Sequence, residues 1–322
     1  MLLYLITFIA QIFLLLGYFK FANQYNIIDK PNGRSSHSYT TIRGGGIVFP
    51  AAAILWFLMY GFSQPWLILA LLLMAAISFL DDVITLTSKI RIFVHFMAVT
   101  ILFWQLNVFE LPWYCFAFAY LFTIGWINAF NFMDGINGIT AFYGLVALGT
   151  FAWLNQSLEF VSQQLIIVLV LSVLIFSYFN ARKRAKTFAG DVGSVSMAFL
   201  LAWFMISLMV KTGRVEYILF FALYGLDSVV TIIFRLRRHE NIFKAHRSHL
   251  FQYLSNELKL PHVMVSSIYA LVQCGINIIT IVLISENRMT NSAFVLFLSV
   301  LCIAYLIIRN VIFKAIQQKL VI

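Results

Sequence analysis

Only 11% of the 322 residues carry a charge, and just 12 are acids. That scarcity excludes a soluble protein. With 62% hydrophobic residues and a mean hydropathy of +0.92, a chain of this length could not hide its apolar surface from water. Cysteine is nearly absent as well. Cys115, Cys274 and Cys302 are scattered through apolar stretches without metal-ligand spacing, which excludes a disulfide framework and a thiolate metal site. No internal repeat, low-complexity segment or soluble domain is discernible, so the reading is one membrane domain over residues 1–322. The first apolar run lacks a basic leader and a small-residue cleavage site, and it reads as a retained helix rather than a signal peptide.

What is present is a series of apolar stretches of about 17 to 22 residues, the length a helix needs to cross the bilayer core. They fall near 2–21, 46–62, 65–80, 91–106, 112–130, 138–154, 164–180, 192–210, 216–235, 263–284 and 292–312. The expected fold is therefore all-α and polytopic, with eleven transmembrane helices, or ten if the closely spaced second and third are one. Of the 22 Lys and Arg, 19 gather with loops 22–45, 81–90, 131–137, 181–191, 236–262 and the C-terminal tail. The positive-inside rule puts those loops in the cytoplasm and the N-terminus outside. Membrane topology thus explains the net charge of +10 without a nucleic-acid partner.

All six aspartates lie on that same side, whereas four of the six glutamates (Glu110, Glu159, Glu216 and Glu286) lie on the other. A carboxylate near hydrocarbon is costly unless paired, hydrated or bound to metal. Clustering them at one face therefore implies a cation site at the membrane surface. Loop 236–262 has enough periodicity for a short amphipathic interfacial helix.

Five loops carry the chemistry. The first, DKPNGRSSHSYTTIRGGG, supplies Asp29, Arg34, His37 and Arg43, and its glycine run before a helix would let backbone N–H groups approach a phosphate. In the second, FLDDVITLTSKIRIF, Asp81 and Asp82 repel each other and ionise together only beside a cation or in water. Lys89 and Arg91 follow and could neutralise phosphate charge, although a hydrated helix cap would also use such a pair. In the third, INAFNFMDGINGI, Asn131, Asp134 and Asn137 recur every three residues, which on a helical turn is one face. Their amide and carboxylate groups suit the edge of a uracil or ribose hydroxyls, with Gly135 and Gly138 leaving room for a flat ligand.

The fourth loop, RKRAKTFAGDVGSVS, places Asp191 at the start of the eighth span, where a helix N-terminus favours negative charge. Hard oxygen donors suit Mg2+, with Mn2+ the alternative, and a plain helix cap is the structural competitor. The fifth carries His239, His246, Arg247 and His249. Spacing puts His246 and His249 on one helix face with Arg247 beside them, and a histidine–arginine set suits a pyrophosphate better than zinc. Asp227, eight residues before Arg235, would lie about 12 Å deeper along a helix, with a basic residue of a neighbouring helix as its expected partner.

Together, DKPNGRSSH with RGGG, DD with SKIR, NFMDGING, FAGDVGS and AHRSHL resemble, in order, the motifs of the polyprenyl-phosphate N-acetylhexosamine-1-phosphate transferases (glycosyltransferase family 4). The resemblance implies transfer of N-acetylhexosamine 1-phosphate from a UDP-N-acetylhexosamine to undecaprenyl phosphate, with Mg2+ and release of UMP, in the bacterial inner (cytoplasmic) membrane. By motif position, Asp191 and Asp82 would hold the metal. Asp81 and Asp82 would bind or deprotonate the lipid phosphate, with Asp191 completing the catalytic set. Asn131, Asp134 and Asn137 would line the uridine region, and His246, Arg247 and His249 would contact the pyrophosphate or sugar. Arg34, His37, Lys89 and Arg91 join the substrate-binding set. The family's last motif often holds consecutive histidines. The Arg-Ser-His here argues for a branch that initiates a surface polysaccharide such as O-antigen, over the pentapeptide-linked branch. UDP-N-acetylfucosamine and UDP-N-acetylquinovosamine remain alternative donors, a homodimer is compatible with the sequence, and a membrane transporter is the competing class.

Overall fold

The computed structural model of the chain describes all residues except 32–38, 85, 243–245 and 322, together with the side chains of all but 319–321 of the remainder. Long apolar runs with little but backbone to hydrogen-bond leave the helix as the structure that satisfies every N–H and C=O inside a bilayer. The chain accordingly folds as α1 (Leu2–Gln24), α2 (Val48–Met59, preceded by a 3₁₀ turn Gly45–Ile47), α3 (Pro65–Ile84), α4 (Ser88–Gln105), α5 (Trp113–Met133), α6 (Ile139–Leu158), α7 (Gln163–Asn180), α8 (Gly190–Thr212), α9 (Ala222–Arg237, preceded by a 3₁₀ stretch Val215–Phe221), α10 (Leu250–Gln252), α11 (His262–Ser285) and α12 (Asn291–Val321). Eleven of these coincide with the apolar stretches read from the sequence. Eight are long and apolar enough to cross a membrane on those grounds alone, and the segment Gly45–Met59 is a shorter apolar helix. The chain is an all-α, multi-pass membrane protein.

Helix ends follow local signals. Ser162 caps α7 through its hydroxyl, Pro112 and Pro261 stand just before α5 and α11, and Gly213 ends α8 at φ +69°. At the centre stands α8, in which every residue from Val192 to Leu208 is buried. Around it lie α2, α3, α5 and α6. Aromatic stacking joins this core to α9 and the 3₁₀ stretch before it: Trp126 lies on Phe221 at 3.7 Å and Tyr143 on Tyr224 at 3.6 Å between ring centroids.

Two short strands organise one end of the bundle. β1 (Ile28–Asp29) and β2 (Thr41–Ile42) pair antiparallel, with Ile28 opposite Ile42. Ile42 also accepts from the Phe188 N–H (2.9 Å), which ties the first polar loop to the fourth. The ladder continues into the glycine run, where Gly45 and Gly46 donate to the carbonyls of Phe188 and Ala189 at 2.8 and 3.0 Å. Those amides are therefore committed to backbone pairing, contrary to the phosphate-cradling expectation. The glycines serve close approach instead. A Cβ on Gly46 would lie 2.4 Å from the Gly193 Cα, and one on Gly190, at φ +70°, would lie 2.7 Å from the Gly44 nitrogen.

Among the described residues of loop 236–262, helical structure after the end of α9 at Arg237 resumes at Leu250. α10 continues as a π-turn over Tyr253–Glu257, and the segment reverses into α11 after Leu260. Its Leu250 and Phe251 are buried in the protein, so among the described residues the expected interfacial helix is a docked turn.

Candidate active site

The ends of α3 and α5, the starts of α4, α6 and α8, and the loop entering α2 meet at one end of the bundle. There the three expected acids converge. Arg43 places Nε 2.6 Å from Asp82 Oδ1 and Nη2 3.4 Å from Asp191 Oδ1. Arg91 places Nη1 2.7 Å from Asp81 Oδ2 and 3.5 Å from Asp191 Oδ2. The charges thus alternate in the order Asp82, Arg43, Asp191, Arg91, Asp81, with each guanidinium bridging two carboxylates. Carboxylates crowded out of water demand this compensation, because an unpaired buried charge is strongly destabilising. The expectation that Asp81 and Asp82 need a cation is met by two arginines from two other segments.

The three acids are not equivalent. The Asp82 side chain is fully buried, Asp81 is 9% exposed and Asp191 18%. Asp82 accepts from the Asp191 and Val192 amides at 2.9 and 3.0 Å, and so caps the N-terminus of α8 across 109 residues of sequence. Asp81 accepts from the Leu86 amide at 2.5 Å, which holds the turn into α4. Asp191 takes the longer ends of the two guanidinium bridges and is the most exposed of the three acids. Arg43, a donor of the first loop by sequence, belongs to the acid cluster itself. The burial of its guanidinium lowers its pKa, while Asp82 and Asp191 more than reverse that, holding it above the usual arginine range.

The Asn131–Asp134–Asn137 set does not form one helical face. Asn131 is on α5 and accepts from Ser194 of α8 at 2.5 Å. Asp134 sits at the C-terminus of α5 and accepts from the Thr140 hydroxyl at 2.5 Å. Burial pushes its carboxyl up to about 6; the Thr140 hydrogen bond opposes the shift and the Asp82 charge adds to it. Asn137 turns away, because the helix has ended at Met133. Its amide donates to the Arg182 carbonyl at 2.7 Å and its own carbonyl accepts from Ser266 at 2.8 Å. It joins three polymer segments and is buried. The two glycines also have local causes: Gly138 adopts φ +87°, and a Cβ on Gly135 would lie 2.9 Å from the Phe251 ring. Close packing of the histidine loop, rather than room for a flat ligand, accounts for Gly135.

The histidine loop likewise departs from expectation. Residues 246–248 are not helical, since the helix begins only at Leu250. His246 and His249 nonetheless face each other, with ring centroids 4.9 Å apart, and Arg247 between them in sequence is half-buried. Burial pushes His246 down to about 4, with His249 and Arg235 acting in the same sense, so it is neutral at neutral pH. His249 is buried, and its Nδ1 lies 3.1 Å from Asp227 Oδ1. Asp227 therefore has a basic partner, but in the loop rather than on a neighbouring helix. His239 is exposed, and Lys89 is exposed on the first turn of α4. Arg34 and His37 lie outside the described residues.

Among the described residues no three His, Cys, Asp or Glu side chains converge closely enough to enclose a metal ion. One or two carboxylates with substrate phosphates and waters are what Mg2+ commonly uses. The carboxylate donors suit that hard cation, with Asp191 better placed than Asp82, whose oxygens already serve α8 and Arg43.

Residues 65–209 match glycosyl transferase family 4. The chain is 33% identical over 235 residues to the phospho-N-acetylmuramoyl-pentapeptide-transferase of Enterococcus hirae, covering 60% of this chain and 70% of that protein. It is 30% identical over 223 residues to the protein of the same name from Enterococcus faecalis, covering 59% and 68%. To a probable undecaprenyl-phosphate N-acetylglucosaminyl 1-phosphate transferase of Bacillus subtilis it is 24% identical over 200 residues, covering 57% and 56%. The chain belongs to glycosyl transferase family 4.

Proposed function

We propose that this chain transfers an N-acetylhexosamine 1-phosphate from a UDP-sugar to undecaprenyl phosphate, giving an undecaprenyl-diphospho-sugar and UMP. The observation that carries the reading is the alternating chain of three carboxylates and two guanidiniums at one end of a membrane bundle. In the orientation argued from Lys and Arg, that end meets the cytoplasmic surface, where a lipid phosphate floats and a nucleotide sugar is dissolved. The middle of α8, from Met197 to Ile206, is buried and apolar, which supports chemistry at one end over a transport path through the bundle.

In the transfer, an oxygen of the lipid phosphate attacks the donor's β-phosphorus in line. The bond from that phosphorus to the bridging oxygen breaks, and UMP leaves with the electron pair. Asp81, slightly less buried than its neighbour Asp82, takes any proton from the lipid phosphate. Arg91 and Arg43 lower the repulsion between the meeting anions, and positioning with charge stabilisation is most of what phosphoryl transfer requires. Mg2+ held at Asp191, with Asp81 beside it, would supply further charge neutralisation for the phosphate oxygens. Asn131 and Asp134 border the site on the α5 side as uridine contacts, and His246, Arg247 and His249 approach from the α10 side. One phosphoanhydride is exchanged for another, so the reaction needs no ATP.

The donor is proposed to be an N-acetylhexosamine without a peptide, in the first step of a surface polysaccharide such as O-antigen, on the strength of Arg-Ser-His in the last motif. The test is UMP release by purified protein in detergent with undecaprenyl phosphate and, in turn, UDP-N-acetylglucosamine, the fucosamine and quinovosamine donors and UDP-N-acetylmuramoyl-pentapeptide. Release that needs both lipid and Mg2+ and stops with EDTA supports the reaction and ranks the donors. Folded protein that releases no UMP from any donor would sink it.

A further inference from the structure

Asp227, in the middle of α9, is fully buried and collects donors from four directions. Oδ1 meets His249 Nδ1 (3.1 Å), the Leu250 amide (3.1 Å) and the Tyr305 hydroxyl (3.0 Å), while Oδ2 meets the Tyr269 hydroxyl (2.6 Å). Thr231, one turn along α9, adds a longer contact at 3.3 Å. Behind Tyr305 stands Arg309, one turn further along α12 and itself buried. It donates to the Tyr305 hydroxyl and to Thr231 at 3.2 Å each, and to the Ser248 carbonyl at 2.8 Å. Its guanidinium also lies over the rings of Phe234 and Tyr253.

The direction of this network is fixed by chemistry. Arginine has donors only, so the Tyr305 oxygen accepts from Arg309 and turns its own hydrogen toward Asp227. A carboxylate surrounded by an amide and hydroxyls that all donate to it is an acceptor, so His249 must present Nδ1–H to it. The other ring nitrogen, Nε2, is buried and makes no hydrogen bond within the described residues. Phe251, stacked on the His249 ring at 5.7 Å, fits against Gly135, next to Asp134. The unused nitrogen therefore belongs to a loop docked on the α5–α6 turn of the site.

We infer that Asp227, braced by Tyr269, Tyr305 and Arg309, is a positioning residue that fixes His249 in the tautomer whose Nε2 is free to accept a hydrogen bond from a hydroxyl of the donor sugar. The inference rests on the transfer reading above, and it assigns a task to α9, α11 and α12 that the acids at the ends of α3 and α8 do not perform. Orienting partners of this kind typically affect activity about 10- to 100-fold when removed.

Two measurements test it. Kinetics of UMP release would be compared for wild type, Asp227→Asn, His249→Gln and the double variant. Asp227→Asn is expected to lower kcat/KM about 10- to 100-fold and to add almost nothing once His249 is gone. Losses that multiply in the double variant would mean that Asp227 acts on the fold instead, and would overturn the inference. If Asp227→Asn does not fold, Tyr305→Phe replaces it in the same cycle, with a smaller loss expected and the same criterion. Separately, nitrogen NMR of 15N-histidine-labelled protein, with the His249 signals found by difference from His249→Gln, should show Nδ1–H in wild type and a shift toward Nε2–H in Asp227→Asn. Identical His249 signals in the two would also overturn it. Wild type that releases no UMP would defeat the transfer reading, while the NMR comparison would still report on the Asp227–His249 pairing.

Discussion

At the residue scale, three aspartates of the same chemistry are divided among different tasks by what each one touches. Asp191 is the most exposed of the three and the proposed metal holder, so Asp191→Asn should lower UMP release about 10³-fold, the upper range for losing one transition-state-stabilising group, with its thermal midpoint near wild type. Asp82→Ala should reduce the midpoint as well as activity, because it uncaps α8 at a cost of about 1–2 kcal/mol and leaves Arg43 half-paired. Scanning fluorimetry beside the kinetic assay separates the two. Asp134 makes a pH prediction. Its folded pKa of about 6 lies above the ordinary carboxylate value of about 4, so between those values the folded state binds the extra proton and stability falls as pH rises. Thermal midpoints measured across that window should fall in wild type, and more weakly in Asp134→Asn. The acids were legible in the sequence because each stands where an apolar run meets a polar loop. Their partners were not: Asp82 and Asp191 are bridged by Arg43 from a loop 39 and 148 residues away, and no local pattern records that distance.

At the scale of elements, the glycines show how one signal has two physical meanings. A glycine run before a helix reads the same whether its amides wait for phosphate or its bare Cα atoms wait for another backbone. Here Gly46 and Gly193 bring the start of α2 against the first turn of α8, and a Cβ on Gly193 would lie 2.5 Å from the Gly46 Cα. Gly193→Ala should cost at least about 2 kcal/mol, as overpacking of a rigid contact does, and should appear as a lowered midpoint and poor recovery of monodisperse protein. The histidine loop failed differently. Three-residue spacing suggested a helix face, but Asp227 and Arg309 draw residues 248–250 into a turn, and tertiary hydrogen bonds from α9 and α12 outweigh local periodicity there. The helices themselves were legible, most ends to within about four residues, since length and apolar content govern membrane spans directly; α12 runs nine residues past its expected end, to Val321.

For the whole molecule, the reading requires all the polar chemistry to face one side. Single cysteines at Lys183 and at Glu159, in a background lacking Cys115, Cys274 and Cys302, should react with a membrane-impermeant maleimide from opposite sides of oriented vesicles. Labelling of both from the same side would refute the topology. Glu159→Gln should leave turnover within about twofold, as surface changes away from special features do. The enclosure of α8 has a further effect on how the protein answers its host lipid. The helix that carries Asp191 is buried in protein from Val192 to Leu208, whereas α12, bearing Tyr305 and Arg309, presents long apolar stretches outward. A bilayer thinner or thicker than the bundle would tilt α12 first. In a series of phosphatidylcholines of increasing chain length, KM for the nucleotide sugar should therefore drift before Mg2+ dependence does, so that hydrophobic mismatch adjusts substrate grip while the acid centre keeps its height.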